Sequence, residues 1–268
     1  LYFAGSWSTV LGVRFADRLG KGVRTAPRDA LLAASTARET RGLAFGFHRG
    51  ADSAGAFIGL SGVALVIYLT QGGAVLLQRL AFQRLVVIAL VPGFLALAVL
   101  ALVKEAAQPS SAARPRLSLG AMDARFKWFL AAVTLFTMGN SSDAFLLLRA
   151  QNLGMSVLHV ALVLAGFNLV YALLSPIAGR WSDRAGRRPV IVVGWIIYAA
   201  TYLGFAVAWA PQQVVALFAL YAVYYGVSEG AARALVADLV PEEKRGTAYG
   251  LYNTAVGITA LPASAIAG

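Results

Sequence analysis

An all-α, polytopic membrane protein is what this sequence predicts. Hydrophobic residues make up 59% of the 268 and charged residues 13%, against about 25% charged in a soluble domain. No Asp, Glu, Lys or Arg occurs from Ala150 to Gly179, nor from Pro189 to Ser228. A ~30 Å hydrocarbon core takes about 20 residues at ~1.5 Å rise each, so the second run holds two crossings. Ala210-Pro-Gln-Gln213 divides that run with a polar turn. Between the two runs lies a short charged loop, Gly179-Arg-Trp-Ser-Asp-Arg-Ala-Gly-Arg-Arg188.

Taken in chain order, the apolar runs give eight expected spans, over 6–35, 42–70, 82–104, 126–149, 156–178, 189–210, 212–238 and 246–268. Their connections alternate in charge. One set carries Arg38 and Arg41; Lys104, Arg114, Arg116, Arg125 and Lys127; Arg180, Arg184, Arg187 and Arg188; and Lys244 and Arg245. The other carries only Arg79, Arg84 and Arg149. The positive-inside bias makes the richer set cytoplasmic. The expected location is therefore the plasma (bacterial inner) membrane, with several crossings and the lipid bilayer as partner. Residues 105–125, rich in Ala, Pro, Ser and Arg, read as a cytoplasmic linker. Residues 1–104 would close a first half with three helices, and 126–268 would form five helices of a second. The chain opens at Leu1 and ends at Gly268 inside an apolar run, and is expected to be an internal part of a longer protein.

An internal repeat crosses the linker. Ala30-Leu-Leu-Ala33 followed by Glu39-x-Arg41-Gly42-x-Ala44-Phe45-Gly46 recurs as Ala234-Leu-Val-Ala237 followed by Glu243-x-Arg245-Gly246-x-Ala248-Tyr249-Gly250. Both copies run from a helix ending inside, through a basic turn, into a helix leaving. That is a parallel repeat, the relation between two transporter halves.

The charge of +11 would suit a nucleic-acid binder. Here the basic residues sit at alternate span ends instead of on a solvated surface, so no nucleic-acid partner is expected. The chain has no Cys, which excludes disulfides and Cys-held metals, and its two His, His48 and His159, have no metal spacing. No nucleophile–His–acid constellation is visible, so neither an enzyme nor a cofactor is expected.

The loop Gly179–Arg188, of pattern Gly-x-x-x-Asp-Arg-x-Gly-Arg-Arg, resembles the signature loop of the major facilitator superfamily. In that family it joins helices two and three, with a second copy between helices eight and nine. Here it follows the linker by two spans and matches the second copy. Arg41-Gly42 and Arg245-Gly246 look like the turns between helices four and five and between ten and eleven. The resemblance implies helices four to eleven of a twelve-helix, two-bundle fold. Asp17-Arg-Leu-Gly-Lys-Gly-Val-Arg-Thr-Ala-Pro-Arg-Asp-Ala30 and Gly139-Asn-Ser-Ser-Asp-Ala-Phe-Leu-Leu-Leu-Arg-Ala150 look like a bacterial efflux-type subgroup. The implied function is secondary active transport of a small molecule by a monomer, coupled to protons and directed outward. Uptake of an anionic metabolite, or a non-transporting receptor on the same fold, are the alternatives. The loop's implied role is a latch formed by Gly179, Asp183, Arg184, Gly186, Arg187 and Arg188. By the symmetry of the repeat, Asp183 would face the start of the second span near Gly42.

The transport candidates are the charges that the bilayer makes expensive. The first span holds Arg14, Asp17, Arg18, Lys21, Arg24, Arg28 and Asp29 within an arc of about 140° at 3.6 residues per turn. A charge facing lipid costs at least about 2.5 kcal/mol, so the stripe faces protein or a watery cavity. Arg14 and Arg18 read as interfacial and Asp17 as the partner of Lys21; Arg28 and Asp29 are open to a cavity role or a structural one. His48, Arg49 and Asp52 follow in the second span. His48 and Asp52, one turn apart, form either a proton-coupling pair or a bridge to the first span. Asn140 and Asp143 fall in a polar run within the fourth span, which suggests a cavity-facing or distorted segment. Glu229 and Arg233, one turn apart, are expected to pair within their helix. Gly46, Gly55 and Gly59 match three glycines of the superfamily's antiporter motif, although Leu60, Val63 and Ala64 replace its other positions; they serve helix packing as well.

Overall fold

The computed structural model describes residues 6–71, 74, 76–102, 118–120, 122–140 and 143–267. Within them the chain forms α1 (Trp7–Ala34), α2 (Arg41–Gln71), α3 (Arg79–Leu102), α4 (Ala124–Met138), α5 (Asp143–Asn152), α6 (Val157–Ala185), α7 (Arg187–Val207), α8 (Pro211–Asp238) and α9 (Arg245–Ala267). Single 3-10 turns at Arg38–Thr40 and Glu242–Lys244 precede α2 and α9. Most of the expected linker, including Arg114 and Arg116, lies outside the described residues, as does Lys104 before it.

The chain is an all-α polytopic membrane protein. Among the described residues, six segments are long and apolar enough to cross a bilayer: Arg38–Gln71, Arg79–Val99, Ala124–Asn152, Val157–Ala185, Arg187–Val207 and Pro211–Asp238. The other two expected spans, α1 and α9, have membrane length at 28 and 23 residues but fall short in apolarity. The charged stripe accounts for α1, and a polar opening of Thr, Tyr and Asn among glycines for α9.

Local signals set the helix ends. Asp123 caps α4 by accepting from Arg125 N at 2.7 Å. Ser156 caps α6 by accepting from His159 N at 3.3 Å. Between α6 and α7 the chain reverses at Gly186, whose φ of +92° favours glycine. The fourth expected span is two helices and not one. The amides of Gly139 and Asn140 bond to Phe136 O and Thr137 O, each at 3.0 Å, which closes α4. Asp143 then opens α5, its carboxylate in the first turn, where the helix dipole favours negative charge.

The connections gather at two ends. At one, here called the loop end, Asp183 meets the start of α2, Arg187 reaches Arg38 and Asp238, and Met122 packs with Ala33, Ala237 and Val240. At the other, Val157 N bonds to Ala74 O at 3.3 Å and Arg149 donates to Ala208 O at 2.6 Å.

The repeat is visible in the backbone. Helices α1 and α8 end at Ala34 and Asp238, the 3-10 turns begin at Arg38 and Glu242, and α2 and α9 begin at Arg41 and Arg245; each pair differs by 204 positions. Two equivalent pairs also touch one another. Asp29 pairs with Arg233, and Phe45 packs on Tyr249 with ring centroids 6.0 Å apart. Both contacts join positions 204 residues apart, one from each copy.

Close packing of α2 on α6 fixes the relation between the parts. A Cβ at Gly42 or Gly46 would overlap α6 at Ser182, Gly179 or Ser175, and one at Gly50 would come within 2.9 Å of Ala172 O. Glycine at these positions, four residues apart, lets the two backbones approach. A Cβ at Gly55 or Gly59 would meet nothing within 4 Å. The packing expected of Gly46, Gly55 and Gly59 therefore holds geometrically for Gly46 alone, and the contact stripe is Gly42, Gly46 and Gly50. Gly55 and Gly59 lie on a different side of α2, because nine residues from Gly46 is half a turn past two full turns.

Candidate transport site

Three of the helices, α1, α2 and α8, bring charges together inside the bundle. Asp29 on α1 is fully buried. It accepts from Arg233 on α8 and, through its other oxygen, from Arg28 Nε at 3.2 Å and Nη2 at 3.1 Å. Tyr249 donates to Arg233 O at 2.8 Å, which ties this pair to α9. Further along, Arg49 Nε lies 3.1 Å from Glu229 Oε2, and the Tyr171 hydroxyl of α6 donates to the same oxygen. Asp52 ends the series. Its carboxylate is 3.6 Å from Arg49, 3.7 Å from His48 Nε2 and 3.9 Å from Arg28.

The cluster is graded. The Asp29 side chain is 0% exposed, that of Glu229 31%, and that of Asp52 50%. The Asp52 contacts are the longest, at 3.6–3.9 Å. His48 Nε2 is buried and has no hydrogen-bond partner among the described residues. Three arginines (Arg28, Arg49, Arg233) face three carboxylates (Asp29, Asp52, Glu229), so the group is neutral when His48 is neutral.

One expected pairing changes. Glu229 and Arg233 do not pair along α8; Glu229 turns to Arg49 of α2 and Arg233 to Asp29 of α1. An exposed i,i+4 pair contributes only about 0.3–0.5 kcal/mol, whereas a buried arginine without a carboxylate is heavily penalised. Cross-helix partners therefore win. His48 and Asp52 lie within ion-pair range at 3.7 Å, longer than a hydrogen bond, and Asp52 also faces Arg28 of α1 at 3.9 Å. On α1, Asp17 and Lys21 do pair, at 3.0 Å.

The second region is the loop end. Asp183 Oδ1 and Oδ2 accept from the amides of Gly42 and Leu43, both at 2.8 Å, and so cap α2 from α6. Arg187, with only 9% of its side chain exposed, donates to Asp183, to Ser182 Oγ at 3.0 Å, to Arg38 O at 3.0 Å and to Asp238 at 3.1 Å. Arg41 completes the ring, at 2.9 Å from Asp238 and 3.3 Å from Ala33 O. Gly179 lies against Gly42, where a Cβ would overlap the Gly42 carbonyl. Arg184 and Arg188 point outward and are exposed. The sequence reading missed Asp238 and Arg41 as members of this ring. Asp238 was detectable as an acid placed four residues before a basic turn.

A third region is aromatic. Asp143 accepts from the Tyr221 hydroxyl at 2.7 Å, and Asn140 Oδ1 from Tyr202 at 3.3 Å. Around them stand Phe167, Tyr171, Tyr198, Tyr224 and Tyr225, with ring centroids between 4.3 and 6.2 Å apart in the Tyr198–Tyr202 and Phe167–Tyr171 pairs and those between. Tyr221 and Tyr225 are one turn apart on α8, as Tyr198 and Tyr202 are on α7. That spacing was the available signal for this cluster. The neighbours of Asp143 in its polar run, Ser141 and Ser142, lie outside the described residues.

The family model of the Major Facilitator Superfamily matches residues 117–268. An uncharacterized MFS-type transporter of Methanocaldococcus jannaschii is 37% identical over 98% of this chain and 66% of its own length. An uncharacterized protein of Mycobacterium tuberculosis is 28% identical over 100% of this chain and 66% of its own. The class E tetracycline resistance protein of Escherichia coli is 31% identical over 37% of this chain and 24% of its own. This chain belongs to the major facilitator superfamily, and it spans 66% of the length of the two relatives that it matches throughout.

Proposed function

We propose that this member of the superfamily forms the middle of a secondary active transporter that exports a small organic molecule in exchange for protons, by alternating access. Residues 1–104 would close the first half, 105–125 would be a cytoplasmic linker, and 126–268 would form most of the second half. The loop end would face the cytoplasm of the inner membrane, and the protein would act as a monomer.

The observation that carries this reading is the graded charge cluster. It joins helices from both copies of the repeat, buries one ion pair between equivalent positions of the copies, and leaves Asp52 and His48 at its loose end. Such a group can gain or lose a proton without losing its anchor. Arg28, Arg49 and Arg233 each face a carboxylate, so the positive stripe of α1 is neutralised where it meets the bundle. This weighs against an anionic substrate. The aromatic cluster around Asp143 is packed closed; opened during the transport cycle, it would supply stacking faces and one negative charge, a combination that suits an apolar or cationic organic molecule. A relative that shares part of the chain is named for tetracycline resistance.

The full-length protein, expressed in a drug-sensitive host, is expected to raise resistance to at least one organic cation such as ethidium. Asp52→Asn and Asp143→Asn should each return resistance to background at equal membrane abundance. Resistance unchanged in both variants against every compound of a broad panel would overturn the export reading, and a receptor on the same fold would then be favoured.

A further inference from the structure

At the loop end two cavities share a wall. One, of about 670 Å³, is polar and lies beside the latch. The other, of about 440 Å³, is an apolar groove between α4 and α7, floored by Leu235 of α8. Arg125 and Arg188 line both.

Charge separates what is used from what is free. Of the acids that line the polar cavity, Asp183 caps α2 and holds Arg187, Asp238 holds Arg187 and Arg41, and Glu39 is exposed and not ion-paired to Arg125 or Arg188 among the described residues. Arg125 and Arg188 are exposed, and neither has an ion pair among the described residues. Two unneutralised guanidinium groups therefore stand at the junction. Guanidinium matches phosphate oxygens with paired N–H donors.

The two helices present the same order of side chains. On α4, Arg125 is followed by Trp128 and Phe129; on α7, Arg188 is followed by Ile191 and Trp195. Both helices start at the loop end, so on each the arginine lies in the first turns and the tryptophan deeper. Three to seven residues are about 5–10 Å at 1.5 Å per residue, the depth from a headgroup phosphate to the upper acyl chain. A charged rim above an apolar groove opening between membrane helices fits an amphiphile with an anionic head.

We propose that this groove holds one anionic phospholipid, with its phosphate between Arg125 and Arg188 and an acyl chain along α4 and α7. Placing it in the cytoplasmic leaflet rests on the orientation proposed above; the binding does not. Because Arg188 directly follows the latch residue Arg187, the bound lipid would sit against the loop that closes the bundle.

The test uses full-length protein purified in mild detergent and titrated with phosphatidylglycerol or phosphatidylcholine of identical chains. Native mass spectrometry should show one retained phosphatidylglycerol at concentrations where phosphatidylcholine is not retained. Arg125→Gln/Arg188→Gln should weaken retention about tenfold or more, while Arg184→Gln, which lines neither cavity, should leave it unchanged. With the wild-type protein, phosphatidylglycerol carrying brominated chains should quench tryptophan emission at lower concentration than its phosphatidylcholine counterpart. Equal retention of the two lipids, or unchanged retention by the double variant, would overturn the proposal. So would displacement by glycerol phosphate, which would make the site one for a free anion. Retention in detergent has no sidedness and needs no transport, so a failed export assay leaves this result standing.

Discussion

Asp183 and Asp238 at the loop end are held on all sides, by backbone amides at 2.8 Å and by arginines that are themselves at least nine-tenths buried. Asp52 and Glu229 in the middle of the bundle face similar arginines, but with more exposure, and the Asp52 contacts reach 3.6–3.9 Å. Both regions join the same two parts of the repeat with the same residue types. In the first, every donor is matched and the charges act as structure. In the second, matching is complete at Asp29 and thins towards Asp52, where contacts are longer and exposure greater. Satisfaction of partners, and not the presence of charge, distinguishes a brace from a site.

The largest effect should come where the central cluster behaves like the brace. Asp29→Asn strands the buried Arg233 and is expected to cost about 3–5 kcal/mol of stability, read as a shift in the SDS-unfolding midpoint of the full-length protein. Adding Arg233→Met should recover more than half of the loss, since the unpaired charge is then gone. If Asp29→Asn left the midpoint unchanged, the pair would not be an anchor and the gradient in the cluster would lose its fixed end.

Next comes the packing that aligns the two regions. Gly46→Ala places a methyl group against the Ser175 carbonyl and should cost about 1–3 kcal/mol together with a loss of transport. Gly55→Ala meets open space and should change stability by less than about 0.5 kcal/mol. Equal effects of the two would mean that α2 and α6 do not approach through their glycines.

The smallest of the three belongs to the latch. Asp183→Ala removes the cap from Gly42 and Leu43, at a cost of about 0.5–2 kcal/mol. It should also raise the labelling rate of a cysteine placed at Ser182, which is buried beneath Arg187. An unchanged labelling rate would argue that the loop is held by Arg187 and Asp238 without its cap.

Much of this was legible in one dimension. Apolar runs located the helices, and the offset of 204 placed both 3-10 turns and both helix starts. Symmetry of the repeat pointed Asp183 at the start of α2, and the amides of Gly42 and Leu43 are where its oxygens sit. Sequence failed where a partner lay on another helix. Arg41 and Asp238 are 197 positions apart, and nothing local joins them. Glu229 and Arg233 satisfied the i,i+4 rule and yet chose other partners. The break between α4 and α5 was written in Gly139 and Asp143, but the hydrophobicity on either side masked it.

By itself, then, the sequence determined the membrane class, the order of the spans, the duplication and the identity of the charged positions. These depend on hydrophobicity, periodicity and turn chemistry, which act between residues close along the chain. The tertiary structure decided which charges are neutralised, which are buried and which remain available. That outcome depends on how each helix is rotated against its neighbours, and the rotation of α2 is set by the glycine stripe that lets Gly42, Gly46 and Gly50 touch α6.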